Sequence, residues 1–210
     1  MIKLPFAWKI AGEAGYGLMN TGGPLFAKCF TRRGYFVFCY PEYPSLIRGG
    51  HNVYQVNVDN QPVWGPTKNI DYLVALNAHA IIKHQAEIKP GGWLVYDPQT
   101  VKLIKTGKKQ KIDNSRIPTL TGAASVSEAR AETFLRTNFK LYPAPLIEIA
   151  AQAGDKIMQN VVSVGVSLAL LRGDFAVLTE ILQEMFGKKG KAVVAANLKA
   201  ARGGYEYVKK

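Results

Sequence analysis

Five successive residues, Arg48, Gly49, Gly50, His51 and Asn52, add little to a hydrophobic core and much to hydrogen bonding. They close the run "EYPSLIRGGHN" (42–52) and lead directly into strand-like "VYQVNV". Gly49 and Gly50 permit positive φ and let a ligand approach the backbone. Arg48 carries a forked guanidinium suited to carboxylate or phosphate. His51 and Asn52 bring further side-chain hydrogen bonds. Together they suit an anion or polar-ligand cradle at the mouth of a sheet, where open α/β folds bind ligands. The competing reading is a plain loop, with Arg48 salt-bridged and the glycines only bending the chain.

A second set stands upstream. "GEAGYG" places Gly12, Gly15 and Gly17 after an apolar strand and before a helix. Backbone amides at such a turn attract phosphate or carboxylate. The order is G-x-x-G-x-G, not the G-x-G-x-x-G of dinucleotide sites, and no acidic residue closes the next strand. A tight turn without a ligand is the alternative. His79 and His84 are five apart on a predicted helix, a spacing unsuited to a metal pair, and read as surface histidines. Ser45 has no evident base, and no carboxylate pair suggests acid–base work. Cys29 and Cys39 are too few for an iron–sulfur cluster or a structural zinc and read as buried thiols. No metal site is expected in this chain.

The elements that must position these residues follow from apolar periodicity. Strands are expected at 6–11, 35–40, 51–58, 71–77 and 93–97, with one more possible at "VKLIKT". Helices are expected up to about residue 33, over 78–88 with "KPGG" as its stop, and in the last third. There, Ile157, Val161, Val164, Leu168 and Leu171 form a core-facing stripe at helical spacing. Asp174 is placed to cap the next helix, and a final helix spans about Lys189 to Gly203. Alternating strands and helices, with near-continuous apolar strands, predict an α/β domain. Its sheet is mostly parallel with helices on both faces, and a helical part (145–204) follows. Residues 107–140 read as a variable excursion with a short helix near Val126–Leu135, inside one domain spanning 1–210.

The 210 residues carry a net charge of +12, concentrated in "KLIKTGKKQK", "GKKGK" and the terminal lysines. The lysines are not interleaved with aromatics, so nucleic acid is not expected as a partner. No apolar run is long enough for a bilayer, and "MIKLPFAWKI" lacks the features of a signal peptide, so no membrane association and a cytoplasmic location are expected.

"GEAGYG", "GYFVFCYPEYPSLIRGGHNVYQVNV", "DYLVALN" and "GGWLVYD" resemble the γ domain of 2-oxoacid:ferredoxin oxidoreductases. The similarity resumes at "PLIEIAAQAG", "QNVVSVGVSLALL" and "GKAVVAANLKAARGGYEY", leaving out roughly 107–140. It is greatest to the form fused ahead of the thiamine-pyrimidine domain, in enzymes for pyruvate, 2-oxoglutarate or ketoisovalerate. The resemblance implies a subunit or domain that is inactive alone. The whole enzyme adds a thiamine diphosphate ylide to a 2-oxoacid, releases carbon dioxide, passes electrons to ferredoxin and transfers the acyl group to coenzyme A. Thiamine diphosphate, magnesium and the clusters belong to partner α and β subunits or domains; none is expected on this chain alone. Its implied part is to cover the thiamine site and help admit coenzyme A. Ser45, Arg48, Gly49, Gly50, His51 and Asn52 would face substrate or cofactor, and Gly12, Gly15 and Gly17 the coenzyme A arm. One departure is expected: with Pro24 in its first turn, the first helix starts late and the glycine loop lengthens. Two other readings stay open, a free-standing nucleotide-binding module and a purely architectural subunit.

Overall fold

The computed structural model describes residues 3–43, 50–106, 109–112 and 138–209. Strands β1 (Phe6–Glu13), β2 (Phe36–Glu42), β3 (His51–Asp59), β4 (Ile70–Ala75), β5 (Ile88–Tyr96) and β8 (Lys140–Pro143) form one sheet in the order β2-β3-β1-β4-β5-β8. β6 (Leu103–Thr106) and β7 (Lys109–Ile112) pair separately as an antiparallel ribbon. The β1–β4, β4–β5 and β5–β8 pairs are parallel, whereas β3 runs against both β1 and β2. The sheet is therefore mixed, mostly parallel, with one reversed strand. Only residues 43–50 separate β2 from β3, too short a link for the helical crossover that parallel neighbours need.

Alternation along β1 assigns the faces. Phe6, Trp8 and Ile10 pack with α1 (Gly23–Thr31) and with the C-terminal helices, while Ala7 and Ala11 pack with α2 (Ala78–His84). The Trp8 indole stacks on Phe26 at 4.0 Å and donates to Ser167 Oγ at 2.9 Å. The helical part comprises α3 (Leu146–Ala153), α4 (Gln159–Leu170), α5 (Phe175–Phe186) and α6 (Lys191–Lys209). Asp174 caps α5 by accepting from Ala176 N at 2.9 Å, as expected.

Several expectations need correction. α4 shows no apolar stripe against a wet side: its residues from Gln159 to Ala169 are buried all round, and Ile157 lies before the helix, half exposed. The reason is its seat between the sheet and α6, where Gly165 and Gly204 let the two backbones meet. "KPGG" does not stop a helix. It lies inside β5, where Gly92 passes so close to β4 that a Cβ would stand 2.7 Å from Asp71 O. α2 ends earlier, at His84, and a short 3-10 turn follows. Strand β8 has no counterpart among the expected strands. Of the two cysteines, Cys29 is buried, with burial lifting its thiol to about 12, while Cys39 is only partly covered. The expected helix near 126–135 lies outside the described residues.

Candidate functional site

The crossover from β1 passes through α1 on one face of the sheet, and that from β4 passes through α2 on the other. The two chains part company between the C-terminal ends of adjacent parallel strands, the usual position of a ligand crevice in open α/β sheets. The turn containing Gly12, Gly15 and Gly17 lies on that edge. So does the start of β3, because the antiparallel register sets Gly12 opposite Asn52 and Glu13 opposite His51. Ala14 N donates to Gly50 O at 2.9 Å and ties the two segments together beyond the last strand pair. The structure thus brings Gly12, Gly15 and Gly17 beside Gly50, His51 and Asn52. Ser45, Arg48 and Gly49 lie outside the described residues.

Each glycine of the turn has its own reason. A Cβ on Gly12 would stand 3.0 Å from Leu76 Cβ, where β4 ends. Gly15 has φ of +100° and open space around it. Gly17 has φ of +73°, and a Cβ there would stand only 2.2 Å from Asn160 Nδ2. Asn160, at the start of α4, donates from that same nitrogen to Tyr16 O at 2.6 Å. The turn is therefore gripped by a residue far along the chain, which links "GEAGYG" to "QNVVSVG". A π-helical turn, Leu18–Gly22, then feeds α1, with Pro24 in the first turn as expected. Burial and the nearby Glu13 carboxylate raise the Tyr16 phenol.

Several buried polar atoms at this edge have no hydrogen-bond partner: His51 Nδ1, Asn52 Oδ1, Gln159 Oε1 and Asn160 Oδ1. Buried polar groups are normally satisfied, so this concentration of unpartnered atoms distinguishes the edge. The unpartnered oxygens accept, and therefore suit a molecule that donates.

Beneath the edge, on the α2 face, lies a cluster that the sequence reading missed. His51 Nε2 is 2.8 Å from His84 Nε2, and His84 Nδ1 is 2.6 Å from Glu87 Oε1. Glu87 Oε2 accepts from the buried Lys9 ammonium. The His79 ring packs edge-on to His51, with centroids 4.9 Å apart. His79 and His84 are accordingly not surface histidines; His84 is buried and His79 partly so. Desolvation, aided by the neighbouring imidazoles and by Lys83 and Lys9, lowers His51 to about 3. Burial would raise the Glu87 carboxyl, but hydrogen bonds from His84 and Lys9 outweigh it and hold the group below its usual value. Lys9 was the available signal: a charge inside the apolar run "FAWKIA" must find a buried partner.

Among the described residues, no group of three or more His, Cys, Asp or Glu is placed to hold a metal ion. Cys29 and Cys39 sit on different elements, α1 and β2, as free thiols. The described residues therefore do not fit magnesium or an iron–sulfur cluster. No described helix is long and apolar enough to cross a membrane.

The chain is 26% identical over 194 residues to a 2-oxoacid:ferredoxin oxidoreductase subunit alpha from Sulfolobus sp, covering 86% of this chain and 30% of that protein. It is 25% identical over 205 residues to the ketoisovalerate oxidoreductase subunit VorA of Methanothermobacter marburgensis, covering 96% of this chain and 36% of the other. The chain thus spans about a third of the length of these curated relatives. The fold superposes with a TM-score of 0.74 on the 2-oxoglutarate:ferredoxin oxidoreductase of Magnetococcus marinus, solved with 2-oxoglutarate, coenzyme A and succinyl-CoA bound. That match has 25% identity and covers 99% of this chain and 31% of the other. It also matches the keto/oxoacid ferredoxin oxidoreductase gamma subunit of Geobacter sulfurreducens, with a TM-score of 0.69 and 21% identity, covering 97% of this chain and 98% of that one. Residues 7–207 match the family model for pyruvate ferredoxin/flavodoxin oxidoreductase, and the chain belongs to that family.

Proposed function

We propose that this chain serves as the γ-type component of a 2-oxoacid:ferredoxin oxidoreductase, packing beside the thiamine-binding partner and forming part of the coenzyme A and 2-oxoacid entrance. The observation that carries this reading is the β1–β3 register. It sets the glycine turn and the Gly50–Asn52 segment side by side at the sheet edge where the crossovers diverge. The unpartnered acceptors on that edge suit the amide and hydroxyl donors of a coenzyme A arm. The Magnetococcus marinus relative, whose fold this chain shares, holds coenzyme A and a 2-oxoacid. Thiamine diphosphate, magnesium and the clusters fall to the α and β partners in this reading, with ferredoxin reached through the assembly. This chain's share is to bind, orient and shield the acyl acceptor.

Two further features support an assembled state. The edge strand β2 leaves Phe36 and Tyr40 exposed, and Tyr43 beyond it is 70% exposed. Large aromatics left open on an edge strand favour coverage by another chain. The net charge of +12 suits a triphosphorylated ligand and an acidic electron acceptor.

The test is steady-state kinetics of the assembled oxidoreductase with Arg48→Ala in this chain. The Michaelis constant for coenzyme A or for the 2-oxoacid should rise at least about tenfold, the loss of one charge-assisted hydrogen-bonding group. Unchanged constants for both remove Arg48 from the entrance. Calorimetry of the chain with coenzyme A, NAD and ATP separates this role from that of a free-standing nucleotide-binding module.

A further inference from the structure

Lys9, Glu87, His84 and His51 form an unbroken line of polar contacts running from the middle of β1 to the first residue of β3. The contacts restrict where the protons lie. Glu87 is ionised and meets His84 Nδ1, so that nitrogen carries hydrogen and donates. The two Nε2 atoms, 2.8 Å apart, then share one proton, which either ring can own. When His51 owns it, His51 Nδ1 is a bare lone pair. When His84 owns it, His84 is an imidazolium beside a carboxylate, and His51 has to carry its own hydrogen on Nδ1. His51 Nδ1 is buried and has no hydrogen-bond partner.

We propose that these four residues form a proton relay whose open end is His51 Nδ1, at the sheet edge beside the glycine turn, and whose resting place for the extra proton is His84. The step balances. A proton arrives at His51 Nδ1 and an N–H bond forms there. The Nε2–H bond of His51 breaks as its proton passes to His84 Nε2, where a new N–H bond forms. His51 stays neutral with its hydrogen moved from one nitrogen to the other, and the positive charge appears on His84 between Glu87 and His51. The donor is a weakly acidic N–H, O–H or S–H group held at the edge. The relay reverses the polarity of His51 Nδ1, from acceptor to donor, whenever His84 takes the proton.

The charges around it favour this division. Lys9 of β1 and Lys83 of α2 lie close enough to oppose a cation on His51, and His79 of α2 adds to them. Glu13 stands opposite His51 in the strand register and is half-buried, with its carboxylate accepting from the Tyr16 hydroxyl. Glu87, following α2, is the carboxylate in contact with His84 and favours the cation there. Lys9 keeps Glu87 ionised, since its ammonium meets the other carboxylate oxygen.

The relay stands apart from the coenzyme A assignment, because its test needs no ligand. Long-range proton–nitrogen correlation spectra of the full chain, labelled at the imidazole nitrogens, read each ring's tautomer as pH falls from about 8 to about 5. At the upper end His84 should show hydrogen on Nδ1 and His51 on Nε2. On acidification His84 should gain its second hydrogen in the same step in which the His51 hydrogen moves to Nδ1, with His51 remaining neutral. Glu87→Gln should abolish that coupled step while His79 keeps its native spectrum. A His51 ring that becomes cationic, or two rings that titrate independently in the native chain, would overturn the relay. So would a coupled step that survives Glu87→Gln. The native titration decides the matter even where the variant fails to fold.

Discussion

Three glycines that look alike in "GEAGYG" make unlike demands, and substitution separates them. Gly15→Ala meets no neighbour and should cost only the left-handed backbone penalty, about 1 kcal/mol. Gly17→Ala adds a Cβ 2.2 Å from Asn160 Nδ2, which must move and give up its bond to Tyr16 O. The loss should reach about 3 kcal/mol in urea unfolding, as two such penalties add. Equal losses at the two positions would show that Asn160 does not grip the turn. At the end of α4 the opposite change is favourable. Arg172 N donates to Ala169 O and Gly173 N to Leu168 O, a Schellman closure that puts Arg172, φ 54°, in the left-handed position. Gly173 is there for space, because its Cβ would stand 2.2 Å from a Leu168 methyl. Arg172→Gly should therefore raise stability by up to about 1 kcal/mol in the same assay. The left-handed strain thus lies on Arg172 and not on the glycine that follows it.

Between elements, the contact that sets the helical part is the crossing of α4 and α6. A Cβ on Gly165 would lie 2.1 Å from Ala201 O, and one on Gly204 2.2 Å from Val162 O. Each glycine faces the other helix's backbone, which cannot rotate away, so the helices must separate. Gly165→Ala should cost more than about 3 kcal/mol, near the upper end for single substitutions. Gly203→Ala, whose Cβ would meet only the Ile149 side chain at 2.6 Å, should cost clearly less. Comparable midpoints for these two variants in urea would refute the close crossing. The same contact explains what the sequence could and could not show. Most strand positions (though not β8 or the start of β5), the cap at Asp174 and the late start of α1 were legible because each depends on local residue types. The burial of α4 was not, since Ser163, Gly165 and Ser167 fall outside the apolar stripe that the sequence displays. Instead Ser167 accepts from Trp8 and Gly165 admits α6. The reversal of β3 follows from the short link 43–50, a signal that the apolar pattern of the strands does not carry. The meeting of three histidines at 51, 79 and 84 was not legible, because only the sheet order brings them together.

At the scale of the molecule, the buried polar line through the sheet makes stability depend on pH in a calculable direction. His51 takes up a proton near pH 6.5 in the unfolded chain but only near 3 in the folded one. Between those values the unfolded state binds more protons, so the stability present above pH 6.5 is lost as pH falls toward 3. Glu87, held below its ordinary value of 4.5, acts in the same sense but only below that pH. Its contribution is complete above 4.5 and disappears as pH falls through its lower folded value. The His51 shift sets a ceiling of roughly 4–5 kcal/mol at ~1.4 kcal/mol per unit. Partial exposure of the ring and solvent screening bring the expected loss to about 2 kcal/mol. Urea unfolding of the native chain and of His51→Asn at about pH 7.5 and pH 4.5 isolates the term, since an asparagine does not titrate. The native chain should lose about 2 kcal/mol more than the variant across that interval. Parallel losses in both would assign the acid sensitivity to other groups. A smaller loss in the native chain would mean that the folded imidazole cluster accepts protons more readily than the unfolded one, reversing the sign derived from its burial.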